Sequence, residues 1–116
     1  MPEYESVSSS LIPLAALETG AIVAVDAAIE GEMESILLHR HAAGVSAWLN
    51  ICPHAGRRLD YAPGKFLRSG NDLVCAAHGA SFDLPSGRCV GGPCRGSALT
   101  AVAVAVDDNG EVVLAR

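Results

Sequence analysis

Apolar and polar residues alternate in short runs along most of the chain, a pattern typical of β-strands rather than helices. The runs are separated by turns that contain glycine, proline or acidic residues. A turn, with at most one turn of helix, is expected at 14–17. We predict strands over residues 21–25, 35–41, 45–51, 72–74, 81–83 and 88–90.

The C-terminal segment shows the clearest alternation. Val102, Val104 and Val106 alternate with alanines, and a turn at 108–110 leads into a second apolar run at 111–114. Asn-Gly between two apolar runs is the strongest short hairpin signal. The sequence therefore predicts an all-β fold of short antiparallel strands, formed as one domain over 11–116 after a loose polar leader at 1–10.

Charge and hydropathy exclude several classes of function. The chain has 116 residues and a net charge of −5, which disfavours nucleic acid and favours docking to a basic patch on another protein. No signal peptide is expected, and Pro13 and Glu18 interrupt the apolar stretch that begins at Leu11, so no membrane span is expected. We expect a cytoplasmic protein, in which cysteines bind metals or stay reduced.

Two cysteine–histidine pairs are the candidate chemistry. Cys52 and His54 follow one predicted strand, and Cys75 and His78 follow another. Two thiolates and two imidazoles suit a tetrahedral zinc ion, or a [2Fe-2S] cluster with the cysteines on one iron and the histidines on the other. Because each loop supplies one ligand of each type, the cluster is favoured over zinc.

The two loops, Cys52-Pro-His54-Ala-Gly56 and Cys75-Ala-Ala-His78-Gly79, resemble the cluster loops of Rieske iron–sulfur proteins. The resemblance extends over about residues 11–115. It implies the Rieske fold of stacked antiparallel sheets, with two cluster-binding loops at one end and a cluster-binding part at about 50–95. It also implies that Cys52 and Cys75 bind the inner iron and that His54 and His78 bind the outer iron.

The branch of the family follows from residues near the ligands. Respiratory Rieske proteins carry an extra cysteine in each loop, and a serine and a tyrosine where this chain has Ala80 and Phe82. Fewer donors to the cluster sulfurs imply the soluble, low-potential, ferredoxin-type branch. Gly92 and Pro93 are expected in a loop that covers the cluster. The residues expected around the ligands are Gly56, Arg57, Gly79, Ala80, Phe82, Gly92 and Pro93.

The resemblance implies an electron carrier with one [2Fe-2S] cluster per chain and no catalytic residues of its own. Its expected partners are redox proteins: a flavin reductase, a terminal oxygenase or a reductase subunit. The alternatives are an accessory small subunit of a larger cytoplasmic reductase, similar to that of nitrite reductase, and a structural zinc module. The colour of the purified protein distinguishes the zinc module from the cluster, because zinc sites are colourless and a Rieske cluster is red-brown.

Two further pairs of residues have two interpretations each. Cys89 and Cys94 form either a disulfide or, as the compartment favours, two reduced and partly packed thiols. His39 and His41 share one face of a strand and form either a metal site or, more simply, a polar sheet face. Trp48 is expected in the core.

Four basic residues in the cluster-loop region also have two interpretations. They form either a solvated loop or a patch that steers a partner toward the exposed histidines. The four are Arg57, Arg58, Lys65 and Arg68.

Overall fold

The computed structural model describes residues 10–53, 56–75, 79–94 and 96–115, with the side chain of Cys94 excluded. These residues form three antiparallel sheets. The strands are β1 (Ser10–Pro13), β2 (Ile22–Ile29), β3 (Glu32–His41), β4 (Gly44–Leu49), β5 (Leu67–Ser69), β6 (Asp72–Val74), β7 (Ser81–Asp83), β8 (Cys89–Gly91), β9 (Ala101–Val102), β10 (Val104–Val106) and β11 (Glu111–Leu114). The predicted all-β class is confirmed.

A four-stranded sheet in the order β9-β4-β3-β2 lies in the middle of the molecule. Successive side chains of a strand point to opposite faces. Leu37 of β3 pairs with Trp48 of β4 on one face, while Ile36 and Leu38 point to the other. All four side chains are buried, because each face of this sheet is covered by another sheet.

The first face is covered by the sheet β5-β6-β7-β8, and the loops at 50–65 lie with it. The core on this face includes both cysteines of the candidate site. It consists of Leu37, Trp48, Cys52, Leu59, Leu73, Cys75, Ala80, Phe82, Leu84 and Leu99. We call residues 50–99 the cluster half and the rest of the chain the base half.

The second face is covered by the sheet β10-β11-β1. Val112 of β11 and Leu17, which follows a 3-10 turn at Leu14–Ala16, are fully buried there against Ile36 and Leu38. The two separate cores explain why the middle strand β3 is apolar on both faces over 36–38.

The C-terminal alternation is divided between two sheets, although the sequence predicted one hairpin. Ala101–Val102 pairs with β4, and Val104–Val106 pairs with β11. The chain passes from one sheet to the other at Ala103, whose carbonyl accepts a 2.9 Å hydrogen bond from Ala115. Alternation shows which side chains share a face of a strand but not which strand it pairs with. The change of sheet at Ala103 was therefore not predictable from the sequence.

Two strands were missed. Ser10–Pro13 was placed partly in the leader, but it pairs with β11, and the hydroxyl of Ser10 donates to the carboxylate of Glu111. Leu67–Ser69 was predicted as part of a loop over 55–71, which is rich in glycine, proline and charge, and its three exposed side chains show no alternation. Elsewhere the boundaries differ by a few residues, with β2 continuing to Ile29 and β3 beginning at Glu32.

The only helical elements among the described residues are two 3-10 turns, at Leu14–Ala16 and Gly92–Cys94. Within these ranges, no helix has the length and apolar character that crossing a membrane requires.

Candidate metal centre

The first candidate loop follows β4 and is closed by two backbone hydrogen bonds at Cys52. The N–H of Cys52 donates to the carbonyl of Arg57 at 2.6 Å, and the N–H of Gly56 donates to the carbonyl of Cys52 at 2.8 Å. Gly56 has a φ of +67°, a left-handed conformation that glycine adopts without steric cost. The glycine therefore lets the chain reverse between Cys52 and Arg57.

The second candidate loop connects β6 to β7 and has the same two hydrogen bonds. The N–H of Cys75 donates to the carbonyl of Ala80 at 2.7 Å, and the N–H of Gly79 donates to the carbonyl of Cys75 at 2.9 Å. Gly79 has a φ of +73°. The two loops thus place a cysteine at the same position of the same backbone turn.

Both cysteine side chains have no exposed surface, and both lie in the core of the cluster half. A thiolate in apolar surroundings is unfavourable unless a cation binds it. Two buried thiols at matching positions fit a metal group that accepts two thiolates. The two predicted histidine ligands, His54 and His78, lie outside the described residues, and within the described ranges no three His, Cys, Asp or Glu side chains form a metal site.

A third segment packs against the second loop. A Cβ atom placed on Gly92 would lie 3.0 Å from the carbonyl oxygen of Gly79 and 3.0 Å from the Cα of Ala80. Gly92 also has a φ of +81°. Only glycine permits this approach, so the turn that contains Gly92 and the exposed Pro93 lies directly on the backbone of the second loop.

Ala80 and Phe82 are fully buried in the same core as the two cysteines. Phe82 belongs to β7, where it pairs with Leu73 on one side and Cys89 on the other. Neither residue carries a hydroxyl group. The side chains at these two positions therefore offer no hydrogen-bond donor to a group held by the cysteines.

A buried polar network supports the first loop, and sequence reasoning missed it. Asn50 lies two residues before Cys52 and is 1% exposed. Its Oδ1 accepts a hydrogen bond from the N–H of Leu59 at 3.0 Å, and its Nδ2 donates to Ser35 Oγ at 3.2 Å and to Asp60 Oδ2 at 3.3 Å. A lone asparagine at the end of an apolar strand was the available signal.

Asp60 forms the other centre of this network. Its carboxylate, 2% exposed, accepts from Arg58 Nε at 2.9 Å and Nη2 at 2.8 Å, and from the N–H of Gly64 at 3.1 Å. The hydrogen bond from Arg58 is the main cause that holds the pKa of Asp60 below its ordinary value. Arg58 is thus part of the loop's own structure.

Cys89 is disulfide-bonded, so the preferred prediction of a reduced thiol is wrong for this residue. Its sulfur lies 3.3 Å from the carbonyl oxygen of Gly91. The prediction relied on the general tendency of cysteines in cytoplasmic proteins to stay reduced. That tendency says nothing about the geometry around a particular cysteine. The side chain of Cys94 lies outside the described residues.

His39 is buried, which contradicts its assignment to a polar sheet face. Its ring stacks on His41 with centroids 5.7 Å apart and lies 6.4 Å from the ring of Trp48. Its Nδ1 is buried and has no hydrogen-bond partner among the residues that the structure describes. Burial is the main cause that lowers the pKa of His39, and the charges of Arg68 and His41 lower it further.

The alternative of a metal site at His39 and His41 finds no support, because both ring nitrogens of His41 have protein partners. Its Nε2 lies 2.8 Å from Ser46 Oγ, and its Nδ1 accepts a hydrogen bond from the N–H of Ala43 at 3.2 Å.

Comparison with known proteins places the chain in a family. The sequence matches the Rieske [2Fe-2S] domain family over residues 14–111. No curated protein matches it significantly. Among solved structures, it is similar to the ferredoxin of carbazole 1,9a-dioxygenase from Nocardioides aromaticivorans IC177, with 27% identity and a TM-score of 0.67 over 94% of this chain and 97% of that chain.

Two further structures share the fold. The ferredoxin of Sphingomonas yanoikuyae B1 is 24% identical, with a TM-score of 0.70 over 95% of this chain and 99% of that chain. The terminal oxygenase of carbazole 1,9a-dioxygenase from Nocardioides aromaticivorans IC177 is 26% identical, with a TM-score of 0.68 over 92% of this chain and 29% of its own.

These matches confirm the predicted fold, the predicted [2Fe-2S] cofactor and the predicted electron-transfer role. They leave the individual ligands as predictions. Because the family match spans most of the sequence, this chain belongs to the Rieske [2Fe-2S] domain family.

Proposed function

We propose that this chain is a ferredoxin that carries single electrons from a flavin reductase to a terminal oxygenase. A bound [2Fe-2S] cluster supplies one-electron redox chemistry, and catalysis on the final substrate rests with the partner. The observation that carries the proposal is the pair of matching loops, each with a fully buried cysteine at the same position. Similarity to a dioxygenase ferredoxin over nearly the full length of both chains supports the same role.

We assign the ligands to the two pairs recognised in the sequence. Cys52 and Cys75 bind one iron from the buried side, and His54 and His78 bind the other. The support for the cysteines is their burial in one core and their matching turns. The support for the histidines is their position between each cysteine and the residue whose carbonyl closes its turn.

The residues around the cysteines favour a low reduction potential. Hydrogen bonds to cluster sulfurs stabilise the reduced, more negative state. Ala80 and Phe82 supply no hydroxyl group to a cluster sulfur. Because both side chains are fully buried, water does not reach them to donate a hydrogen bond instead. We expect a midpoint near the lower end of the Rieske range, about −150 mV, within reach of a flavin reductase.

The proposed setting is the cytoplasm, where reductases that use nicotinamide cofactors operate.

The test uses the purified chain under anaerobic conditions with NADH and a catalytic amount of a flavin reductase. The protein should take up one electron per chain and return it to an added oxidant, and Cys52→Ser protein should take up none. Isolation only together with a catalytic chain would instead favour the accessory-subunit alternative. Stoichiometric zinc without iron would overturn the proposal.

A further inference from the structure

Charge is divided unequally between the two halves of the molecule. The cluster half contains six basic and three acidic residues, a net charge of +3, whereas the base half contains two basic and ten acidic residues, a net charge of −8. The overall charge of −5 therefore conceals a basic cluster half on an acidic protein.

Two of the acidic groups in the cluster half are engaged in local structure. The carboxylate of Asp60 is 2% exposed and bonded to Arg58, and that of Asp83 accepts a 2.6 Å hydrogen bond from Ser86. The exposed side chains of Arg57 and Lys65 have no such acidic neighbour among the described contacts, so they contribute their charge to the surface.

The basic side chains lie beside the cluster loops. Arg57 supplies the carbonyl that closes the first loop at Cys52, and its own side chain is exposed. The backbone carbonyl of Lys65 accepts a 3.0 Å hydrogen bond from the N–H of Tyr61, a residue that is 58% exposed. Ile51, directly before Cys52, is also exposed. Exposed apolar side chains among basic ones are typical of a docking surface.

Among the described acidic residues of the base half, Asp26 lies beside Arg58 and Gly64, but those of the C-terminal hairpin lie far from the cluster loops. Asp107, Asp108 and Glu111 belong to the turn and strand of the sheet on the opposite side of the middle sheet from the cluster half. The molecule is 49 Å long, whereas the Debye length is about 10 Å at 0.1 M salt. A partner that approaches the loops is therefore exposed mainly to the local positive charge.

We propose that the exposed side chains of Ile51, Pro53, Arg57, Tyr61 and Lys65 form a docking face, and that the redox partner covers this face with an acidic surface. The inference rests on the proposed function, because it names the surface through which electrons leave. The overall charge of −5 favours a basic partner surface, whereas the local charge of the cluster half favours an acidic one.

Small redox probes of opposite charge distinguish the two expectations. Reduced protein is mixed in a stopped-flow instrument with the anion hexacyanoferrate(III), or with the cation tris(phenanthroline)cobalt(III), each of which accepts one electron. Salt is raised from about 0.1 M to about 1 M, which shortens the Debye length from about 10 Å to about 3 Å. The rate with the anion should fall several-fold, and the rate with the cation should not fall.

Two variants with equal net charge provide the control. Arg57→Gln and Met33→Glu each lower the charge by one, and Met33 is 69% exposed in the base half. At about 0.1 M salt, where charges act over about 10 Å, Arg57→Gln should slow oxidation by the anion several-fold, and Met33→Glu should leave it unchanged. Lys65→Gln should act as Arg57→Gln does, which covers the case in which substitution at Arg57 disturbs the loop.

Retention on a cation-exchange resin at pH 7 gives a readout independent of electron transfer. Arg57→Gln should elute before Met33→Glu despite the equal net charge. Equal elution, or a rate with the anion that rises with salt, would overturn the acidic-partner inference while leaving the ferredoxin proposal intact. Protein that holds no iron and transfers no electron would overturn the ferredoxin proposal itself.

Discussion

Substitution of Gly92 tests the contact between the 3-10 turn at Gly92–Cys94 and the second cluster loop. Gly92→Ala places a Cβ 3.0 Å from both the Gly79 carbonyl oxygen and the Ala80 Cα, closer than such atoms normally approach. Because these are backbone atoms of a loop closed at Cys75, they move only if that loop moves. The substitution should therefore disturb the site as well as the stability of the fold.

The matched control is Gly96→Ala. Gly96 has a φ of +86°, close to the +81° of Gly92, but no atom lies within 4 Å of its added Cβ. Both variants place an alanine in the left-handed region, at a cost of about 1–2 kcal/mol. Gly92→Ala adds an overpacking cost of about 1–3 kcal/mol. The difference between the variants isolates the contact.

Urea unfolding of the two iron-loaded variants measures stability, and loss of visible absorbance to an iron chelator measures retention of the cluster. We expect Gly92→Ala to be less stable than Gly96→Ala by about 1–3 kcal/mol and to release iron faster. Equal stability and equal iron release in the two variants would refute the close packing of this turn on the second loop.

Three further predictions concern buried groups. Asp60→Ala should destabilise the protein by about 1–3 kcal/mol in urea unfolding because it leaves the buried amide of Asn50 without one acceptor. Since the pKa of Asp60 is lowered in the folded protein, its ionised carboxylate should add to the free energy of unfolding above about pH 4. This stabilisation should be lost as the pH falls through the folded pKa, and Asp60→Ala should not show the loss. The lowered pKa of His39 predicts unfolding midpoints that decline below about pH 6.5, because the unfolded chain binds the proton more readily, and His39→Gln should flatten this decline. Phe82→Tyr should raise the midpoint potential in voltammetry by on the order of 40 mV, the equivalent of one hydrogen bond of about 1 kcal/mol; an unchanged potential would mean that the hydroxyl does not reach a cluster sulfur.

The parts of the fold that were predictable from sequence are those with a local pattern. The short apolar run within 35–41, bounded by turn residues, and the Asn-Gly turn at 109–110 specified a strand and a hairpin without reference to any distant residue. The two candidate loops were found because the ligand types and the glycine in each loop are read directly from the order of residues.

The parts that were missed depend on residues far apart in the chain. Leu67–Ser69 is a strand only because β6 lies beside it, and its exposed side chains show no periodicity. The burial of His39 results from the sheet that covers its face, which a single strand cannot reveal. The bond between Asn50 and Asp60 spans a loop whose path was unknown, so neither residue indicated the other.

Histidine ligation is the central claim, and pulsed EPR on protein labelled with ¹⁵N-histidine tests it most directly. The reduced protein should show two strongly coupled histidine nitrogens, and replacement of His54 or His78 by cysteine should remove one of them. A reduced iron–sulfur signal without histidine nitrogen coupling would contradict the assignment of His54 and His78 as ligands.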